Sequence, residues 1–236
     1  MISVIIPVYN EEENIEPLYQ ELREVLENFR IDYEVLFVND ASTDNTKNIL
    51  AQLAGDPNNH IRIVHFKKNC GQTSAMDAGF RHASGEIFVT MDGDMQNDPK
   101  DIPAMIKHLE THDVICGIRQ ERRDNVIKRI SSKIANGIRN KLSGEAITDT
   151  GCTLRVYKKS FVDRLKLFDG MHRFLPTLLK MEGARIYEMP VKHRPRHTGQ
   201  GKYKFHQRLI KPLLDLFAVC WMKKYSLKYQ IEEDRK

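Results

Sequence analysis

An α/β fold, a mostly parallel central sheet with helices on both faces, is what this sequence predicts, on three observations. Short β-branched runs alternate with amphipathic stretches of helical length through the first 120 residues. Polar, chemistry-bearing residues recur directly after those runs, where such sheets bind ligands. A chain of 236 residues that is 41% hydrophobic can also bury a substantial core.

The elements follow in order. Ile2 to Ile6 reads as a first strand, and Glu12 to Phe29 as a helix with Ile15, Leu18, Leu22, Val25, Leu26 and Phe29 at three- and four-residue spacing. Tyr33 to Val38 gives a second strand and Asp44 to Leu53 a second helix. Ile61 to Phe66 and Gln72 to His82 repeat the pair, and Ile87 to Met91 and Val114 to Cys116 are further strands. Repetition of this kind builds a doubly wound, Rossmann-like sheet whose ligands sit outside the carboxyl ends of the strands. Pro7, Tyr9, Asn10 and Glu11 follow the first strand, Asn39 and Asp40 end the second, and Asp92 follows the fourth. Residues 1–204 read as one domain, and 205–236 as a C-terminal amphipathic helix and polar tail.

Charge is unevenly spread. The net charge is +5, yet residues 1–60 carry −9 and the remainder +14, so the later chain should face an anion. Cys70, Cys116, Cys152 and Cys220 lie far apart with no C-x-x-C pair, which suits reduced thiols in a cytosolic protein. The start, Met1 and then the apolar Ile2 to Pro7, lacks the pattern of an export signal.

The run Asp92, Gly93, Asp94, Met95, Gln96 carries the sharpest chemistry. If the chain stays extended there, alternation turns Asp92, Asp94 and Gln96 to one side, giving three hard oxygen ligands for Mg²⁺ or Mn²⁺. An Asp-Gly turn is the competing reading. P-V-Y-N-E, from Pro7 to Glu11, offers an aromatic face and polar groups for a base and ribose, or an acidic helix start. In V-N-D-A-S-T-D-N-T, Asp40 is placed to accept hydrogen bonds from a nucleoside, and Ser42 and Asp44 to cap the next helix. N-C-G-Q-T-S-A-M-D-A-G, Asn69 to Gly79, brings a small-residue helix start nearby, with Gly71 and Gly79 permitting tight packing. A dinucleotide glycine fingerprint and a G-x-x-x-x-G-K-S/T phosphate loop are both missing, which favours metal-held phosphate.

With these motifs in this order and spacing, the chain resembles the family 2 glycosyltransferases of the GT-A fold over nearly its full length. D-G-D-M-Q-N-D-P, G-I-R at Gly117 to Arg119 and D-T-G-C-T-L-R at Asp149 to Arg155 look like the polyprenyl-phosphate branch, which includes dolichyl-phosphate mannose synthases and undecaprenyl-phosphate sugar transferases. The resemblance implies that Asp92, Asp94 and Gln96 hold Mg²⁺ or Mn²⁺ on the diphosphate of a UDP- or GDP-linked sugar. It implies that Pro7, Tyr9, Glu11 and Asp40, with Asp92, Gly93 and Asp94, hold the donor. Arg196, Gly199, Gly201, Lys202 and Tyr203 match the family's acceptor-loop pattern R-x-x-G-x-S-K-Y, with Gly201 standing where serine is usual. By the same resemblance attack is in line with inversion, Asp92, Asp94, Arg119 and Arg196 carry the reaction, and Arg119, Arg129, Lys133, Arg196 and Lys202 meet an acceptor phosphate.

Val126 to Leu142, within an amphipathic segment at about 125–143, places Ile127, Ile130, Ile134, Ile138 and Leu142 on one stripe ringed by Lys and Arg. That pattern suits a bilayer surface or a core-facing helix. Leu213 to Met222 is about ten residues and contains Asp215, whereas a transmembrane helix needs about twenty, so peripheral attachment to the cytoplasmic face is expected. A homo-oligomer or an integral-membrane partner is compatible with this, and no nucleic-acid module is recognisable. Two other readings stay open: a soluble transferase acting on a saccharide or protein hydroxyl, and a non-catalytic module binding anionic lipid or nucleic acid. For a hydroxyl acceptor Asp149 is the candidate base, its alternative role being to order the Gly151 turn.

Overall fold

The computed structural model describes residues 1–120, 147–195 and 210–226. Its strands are β1 (Ile2–Val8), β2 (Tyr33–Asn39), β3 (Ile61–His65), β4 (Ile87–Thr90), β5 (Val114–Arg119), β6 (Arg155–Lys158) and β7 (Ile186–Val191). Its helices are α1 (Ile15–Phe29), α2 (Thr46–Gly55), α3 (Gln72–His82), α4 (Ile102–Lys107), α5 (Lys159–Val162), α6 (Leu175–Met181) and α7 (Ile210–Tyr225). The strands form one sheet in the order β3-β2-β1-β4-β6-β5-β7. β3, β2, β1 and β4 are mutually parallel, and β5 is parallel to β7. β6 runs antiparallel to both neighbours, β4 and β5.

Period-two alternation divides the core between the two faces. Ile2, Val4, Ile6 and Val8 of β1, with Val35 and Phe37 of β2, pack against Ile15, Leu18, Tyr19, Leu22 and Leu26 of α1 and Ile102 and Met105 of α4. Ile5, Leu36, Val38 and Phe88 face the other way, against Ala75, Met76 and Phe80 of α3, Leu175 and Leu179 of α6, and Leu216 and Val219 of α7. Each fully buried aliphatic side chain contributes about 1.5–3 kcal/mol, so the sheet is held from both sides. Gly79 lets α3 approach β1 closely, since a Cβ there would collide with the Ile5 side chain.

The expected strands and first three helices are present, with shifted limits. β1 runs two residues beyond Ile6, so Pro7 lies inside it and not after it. The missing N–H of Pro7 falls beyond the last β1–β4 pair, Ile5 with Thr90, where β1 has only β2 beside it. β5 continues from Cys116 to Arg119, and α2 begins at Thr46 instead of Asp44. β6 and β7 complete the sheet beyond what the alternation of the first 120 residues predicts. The expected segment at about 125–143 and the acceptor loop expected at about 192–204 lie outside the described residues, apart from 192–195.

Far from the ligand end, buried Asp113 ties three strands together. Its carboxylate accepts from Lys158 Nζ at 2.8 Å and from Arg185 N and Nε at 3.0 Å each. The Arg185 hydrogen bond, reinforced by Lys158 and opposed by burial, holds this carboxyl well below the usual carboxylate range. A depressed carboxyl pKa stabilises the fold above the unfolded-state value, and that contribution fades as pH falls through the folded one. Asp113→Asn should therefore lower Tm by a few degrees near pH 7, and its deficit should shrink in melts taken progressively below about pH 4.

Candidate functional site

The site forms where β1, β2 and β4 end, because parallel strands bring their carboxyl termini together. The loops after β1 and β2 are laced to each other. Asn10 N donates to Ser42 Oγ at 2.9 Å, Thr43 N to Asn10 Oδ1 at 2.8 Å, and Glu11 N to Thr46 Oγ1 at 3.0 Å. Asn45 N donates to Glu12 Oε2 at 2.8 Å. Asp44 accepts from Thr46 N at 3.0 Å but lies one residue ahead of the α2 N-cap, Asn45, which makes no side-chain cap bond, and Ser42 serves the lacing, so neither is the expected cap. Glu11 accepts from Asn14 Nδ2 at 2.8 Å, fixing its carboxylate at the entry to α1. Pro7, Tyr9 and Glu11, all half-buried, thus stand on a braced platform beside Asp40, whose N–H donates to Val8 O at 2.9 Å.

Asp40 is only 4% exposed, and backbone amides surround its carboxylate. Cys70 N donates to Oδ1 at 2.6 Å and Gly71 N to Oδ2 at 2.8 Å, while Asn69 Nδ2 donates to Asp40 O at 3.2 Å. The turn depends on Gly71, whose φ of +88° is costly for any other residue. Directly after it, Gln72 Nε2 donates to Asp92 Oδ1 at 3.0 Å. Residues 69–72 therefore join the end of β2 to the loop after β4.

The 92–96 run is a turn, with Met95 at φ +60°, so the extended alternation expected to turn Asp92, Asp94 and Gln96 to one side is not what the chain adopts. The loop instead closes on itself. Asp92 N donates to Asn97 Oδ1 at 3.2 Å, and Gln96 N to Asp94 Oδ1 at 3.2 Å. Asp94 is buried, and Asp92 and Gln96 are half-buried. Two carboxylates and an amide are hard oxygen donors, the set from which Mg²⁺ or Mn²⁺ is held together with substrate phosphates. The Gln96 amide nitrogen lies 3.4 Å from Arg194 O and 3.4 Å from His193 Nε2. Among the described residues no group of three His, Cys, Asp or Glu side chains is placed to hold a metal ion. The residues present fit an open ion site shared with phosphate.

A second rim of the site comes from later in the chain. Because β6 is antiparallel, its first residue, Arg155, pairs with Thr90 and Cys116, and the 148–154 loop returns to the ligand end. Asp149 there receives Arg119 Nε and Nη2 at 2.8 Å each and Gly151 N at 3.1 Å. The Arg119 guanidinium is thus oriented by a carboxylate, and Asp149 orders the Gly151 turn as its alternative role required. Arg194, two residues before the acceptor-loop motif, bridges Glu21 at 2.7 Å and Asp98 at 2.9 Å and acts as a strut. Arg129, Lys133, Arg196 and Lys202 lie outside the described residues.

Four contributors escaped the motif reading: Gln72, Asn97, His172 and Arg155. Thr73 Oγ1 lies 2.7 Å from His172 Nδ1, and the buried Arg155 donates to His172 O at 3.2 Å and Thr150 O at 2.8 Å. Gln72, Asn97 and Arg155 stand inside quoted motifs, but partners on other segments, Asp92 for Gln72, Thr153 for Asn97 and His172 for Arg155, are not shown by spacing alone.

A buried carboxylate ending β2, an Asp-Gly-Asp turn after β4 and a central sheet with one inserted antiparallel strand define a GT-A enzyme. The profile described as "Glycosyl transferase family 2" matches residues 3–166, and the chain belongs to that family of glycosyltransferases. The dodecaprenyl-phosphate galacturonate synthase of Rhizobium johnstonii is 36% identical over 232 residues, covering 96% of this chain and 68% of that protein. A mannosyltransferase from Pyrobaculum calidifontis, solved with GDP-Man and Mn²⁺, superposes with a TM-score of 0.65 at 24% identity, and the match spans 92% of this chain and 63% of that one. Glucosyl-3-phosphoglycerate synthase from Mycobacterium tuberculosis, solved with Mn²⁺, UDP-Glc and phosphoglyceric acid, gives 0.73 at 18% identity, over 94% of this chain and 80% of that one.

Two outcomes follow from this geometry. Ala41 carries a left-handed φ of +57° between Asp40 and Ser42, so Ala41→Gly should raise unfolding free energy by about 0.5–1 kcal/mol in urea titrations. Asp94→Ala should cut sugar transfer roughly 100-fold or more while Tm stays within a few degrees of wild type, since Asp94 belongs to a loop beyond the strand.

Proposed function

We propose that the protein transfers a sugar, with inversion, from a nucleoside diphosphate sugar to a polyprenyl phosphate at a membrane surface. The observation that carries this reading is the 36% identity, over 96% of the chain, to a dodecaprenyl-phosphate sugar synthase. The Asp40 and Asp92 ends of the site, joined through residues 69–72, support it on the donor side. Pro7, Tyr9, Glu11 and Asp40 would hold the nucleoside, and Asp92, Asp94 and Gln96 would hold Mg²⁺ or Mn²⁺. When bound, that ion neutralises charge developing on the leaving diphosphate. Arg119, Arg129, Lys133, Arg196 and Lys202 would supply cations for the acceptor.

An acceptor phosphate is already anionic near pH 7 and needs no strong general base, unlike a sugar hydroxyl. The pairing of Asp149 with Arg119 and Gly151 favours this acceptor over a hydroxyl, because the only base proposed for the hydroxyl route is already engaged. A lipid-linked phosphate also requires access to a bilayer. α7 buries Leu216 and Val219 against the domain, while Leu214, Phe217, Trp221 and Tyr225 are 64%, 63%, 63% and 59% exposed. Their three- and four-residue spacing makes one stripe, with Lys224 at its edge over the Tyr225 ring. A mostly aromatic stripe with a lysine at its edge suits the headgroup boundary of an anionic membrane. Among the described residues no helix is long and apolar enough to cross a bilayer.

Incubation with Mn²⁺, undecaprenyl phosphate and a panel of UDP- and GDP-linked sugars, UDP-galacturonate included, should yield one glycolipid and release the nucleoside diphosphate. Transfer to a saccharide or peptide hydroxyl with none to the lipid phosphate would overturn the acceptor. In flotation with anionic liposomes the protein should rise with the vesicles at low salt and less so at high salt. Phe217→Ser with Trp221→Ser should reduce flotation at both, and unchanged flotation would remove α7 from the membrane contact.

A further inference from the structure

Gln72 reaches from the nucleoside side of the site to the Asp-Gly-Asp turn through a helix whose own position is fixed. α3 is seated on β1 by the Gly79–Ile5 approach and tied at its start by Thr73, whose Oγ1 accepts from Gly170 N at 3.0 Å and meets His172 Nδ1 at 2.7 Å. The residue before Gln72 is bound through its amide to Asp40 at 2.8 Å. Gln72 is thus held on both sides in the chain, and its Nε2 donates to Asp92 Oδ1 at 3.0 Å.

We propose that Gln72 is a positioning residue that sets the Asp92 carboxylate for the donor's divalent ion, with the 69–72 turn making the nucleoside and diphosphate halves of the site one unit. The proposal rests on the reading of Asp92 as a metal ligand. A neutral amide suits the task. It fixes the rotation of a ligand carboxylate by a hydrogen bond, where a lysine or arginine would add a charge that repels the ion. Asparagine, one methylene shorter, falls short of the same oxygen. Partners of this kind typically change metal affinity about 10–100-fold when removed, without themselves touching the metal.

The test is Mn²⁺ binding followed by electron paramagnetic resonance, with uridine or guanosine diphosphate present, for the wild type, Q72A and Q72N. Both variants should bind Mn²⁺ about 10–100-fold more weakly, with Tm and metal-free nucleoside diphosphate affinity unchanged. In turnover the activating Mn²⁺ concentration should rise while kcat recovers at saturating metal. Wild-type Mn²⁺ affinity in Q72A would overturn the proposal and leave the metal site standing. Parallel loss of Tm and of metal-free diphosphate affinity would overturn it in favour of a merely structural role. A wild-type protein that binds no Mn²⁺ with either diphosphate would remove the metal reading, and this proposal with it.

Discussion

The buried Asp40 carboxylate, accepting the amides of Cys70 and Gly71, is the joint on which the site depends. A charge only 4% exposed is tolerable at a strand end only if hydrogen bonds replace its hydration, and two backbone amides at 2.6 and 2.8 Å do so. Those amides belong to the turn that starts α3, so satisfying one carboxylate also fixes where the helix begins. The helix start then delivers Gln72 to Asp92. A local electrostatic need at the end of β2 is in this way converted into the alignment of two loops some fifty residues apart in sequence.

Topology supplies the rest. The order β3-β2-β1-β4 reverses direction between β1 and β4, opening the crevice into which the Pro7–Glu11 and Asp92–Gln96 segments project. A wholly parallel sheet would return the chain after β5 to the opposite end. The antiparallel β6 instead puts its amino end beside Thr90 and Cys116, so the 148–154 loop reaches the same rim and pairs Asp149 with Arg119. On the far rim, Arg194 is spent on Glu21 of α1 and on Asp98, which joins the residues leading to the acceptor loop to α1 and to the segment after β4. Basic residues therefore divide into struts such as Arg194, an oriented cation in Arg119, and the buried Arg155, which clamps Thr150 and His172 through their carbonyls.

The first half of the fold was legible because its strands are β-branched and its helices carry clean apolar spacing, so β1 to β4 and α1 to α3 stand where expected. β6 was not, since Arg155-Val156-Tyr157-Lys158 is four residues long and places a cation in a buried strand. β7 is a half-buried edge strand that tolerates Pro190, and neither property leaves a periodic signal. The residues of the site were legible as motifs, but not their partnerships. Asp40 reads as a nucleoside contact, and its two amide donors come from a segment thirty residues on. The Asp92–Gln96 run reads equally as extension or turn until Met95 is seen in a left-handed conformation.

On the proposed reading, Asp92, Asp94 and Gln96 hold, at the end of β4, the ion that carries the donor's diphosphate. Anomalous diffraction from crystals grown with Mn²⁺ and a nucleoside diphosphate tests it most directly. The account predicts a single strong manganese peak bounded by those three side chains and the two phosphates, with the base against the Pro7–Glu11 loop. A manganese peak elsewhere, or a diphosphate bound at that position through basic residues with no manganese beside Asp92 and Asp94, would contradict it.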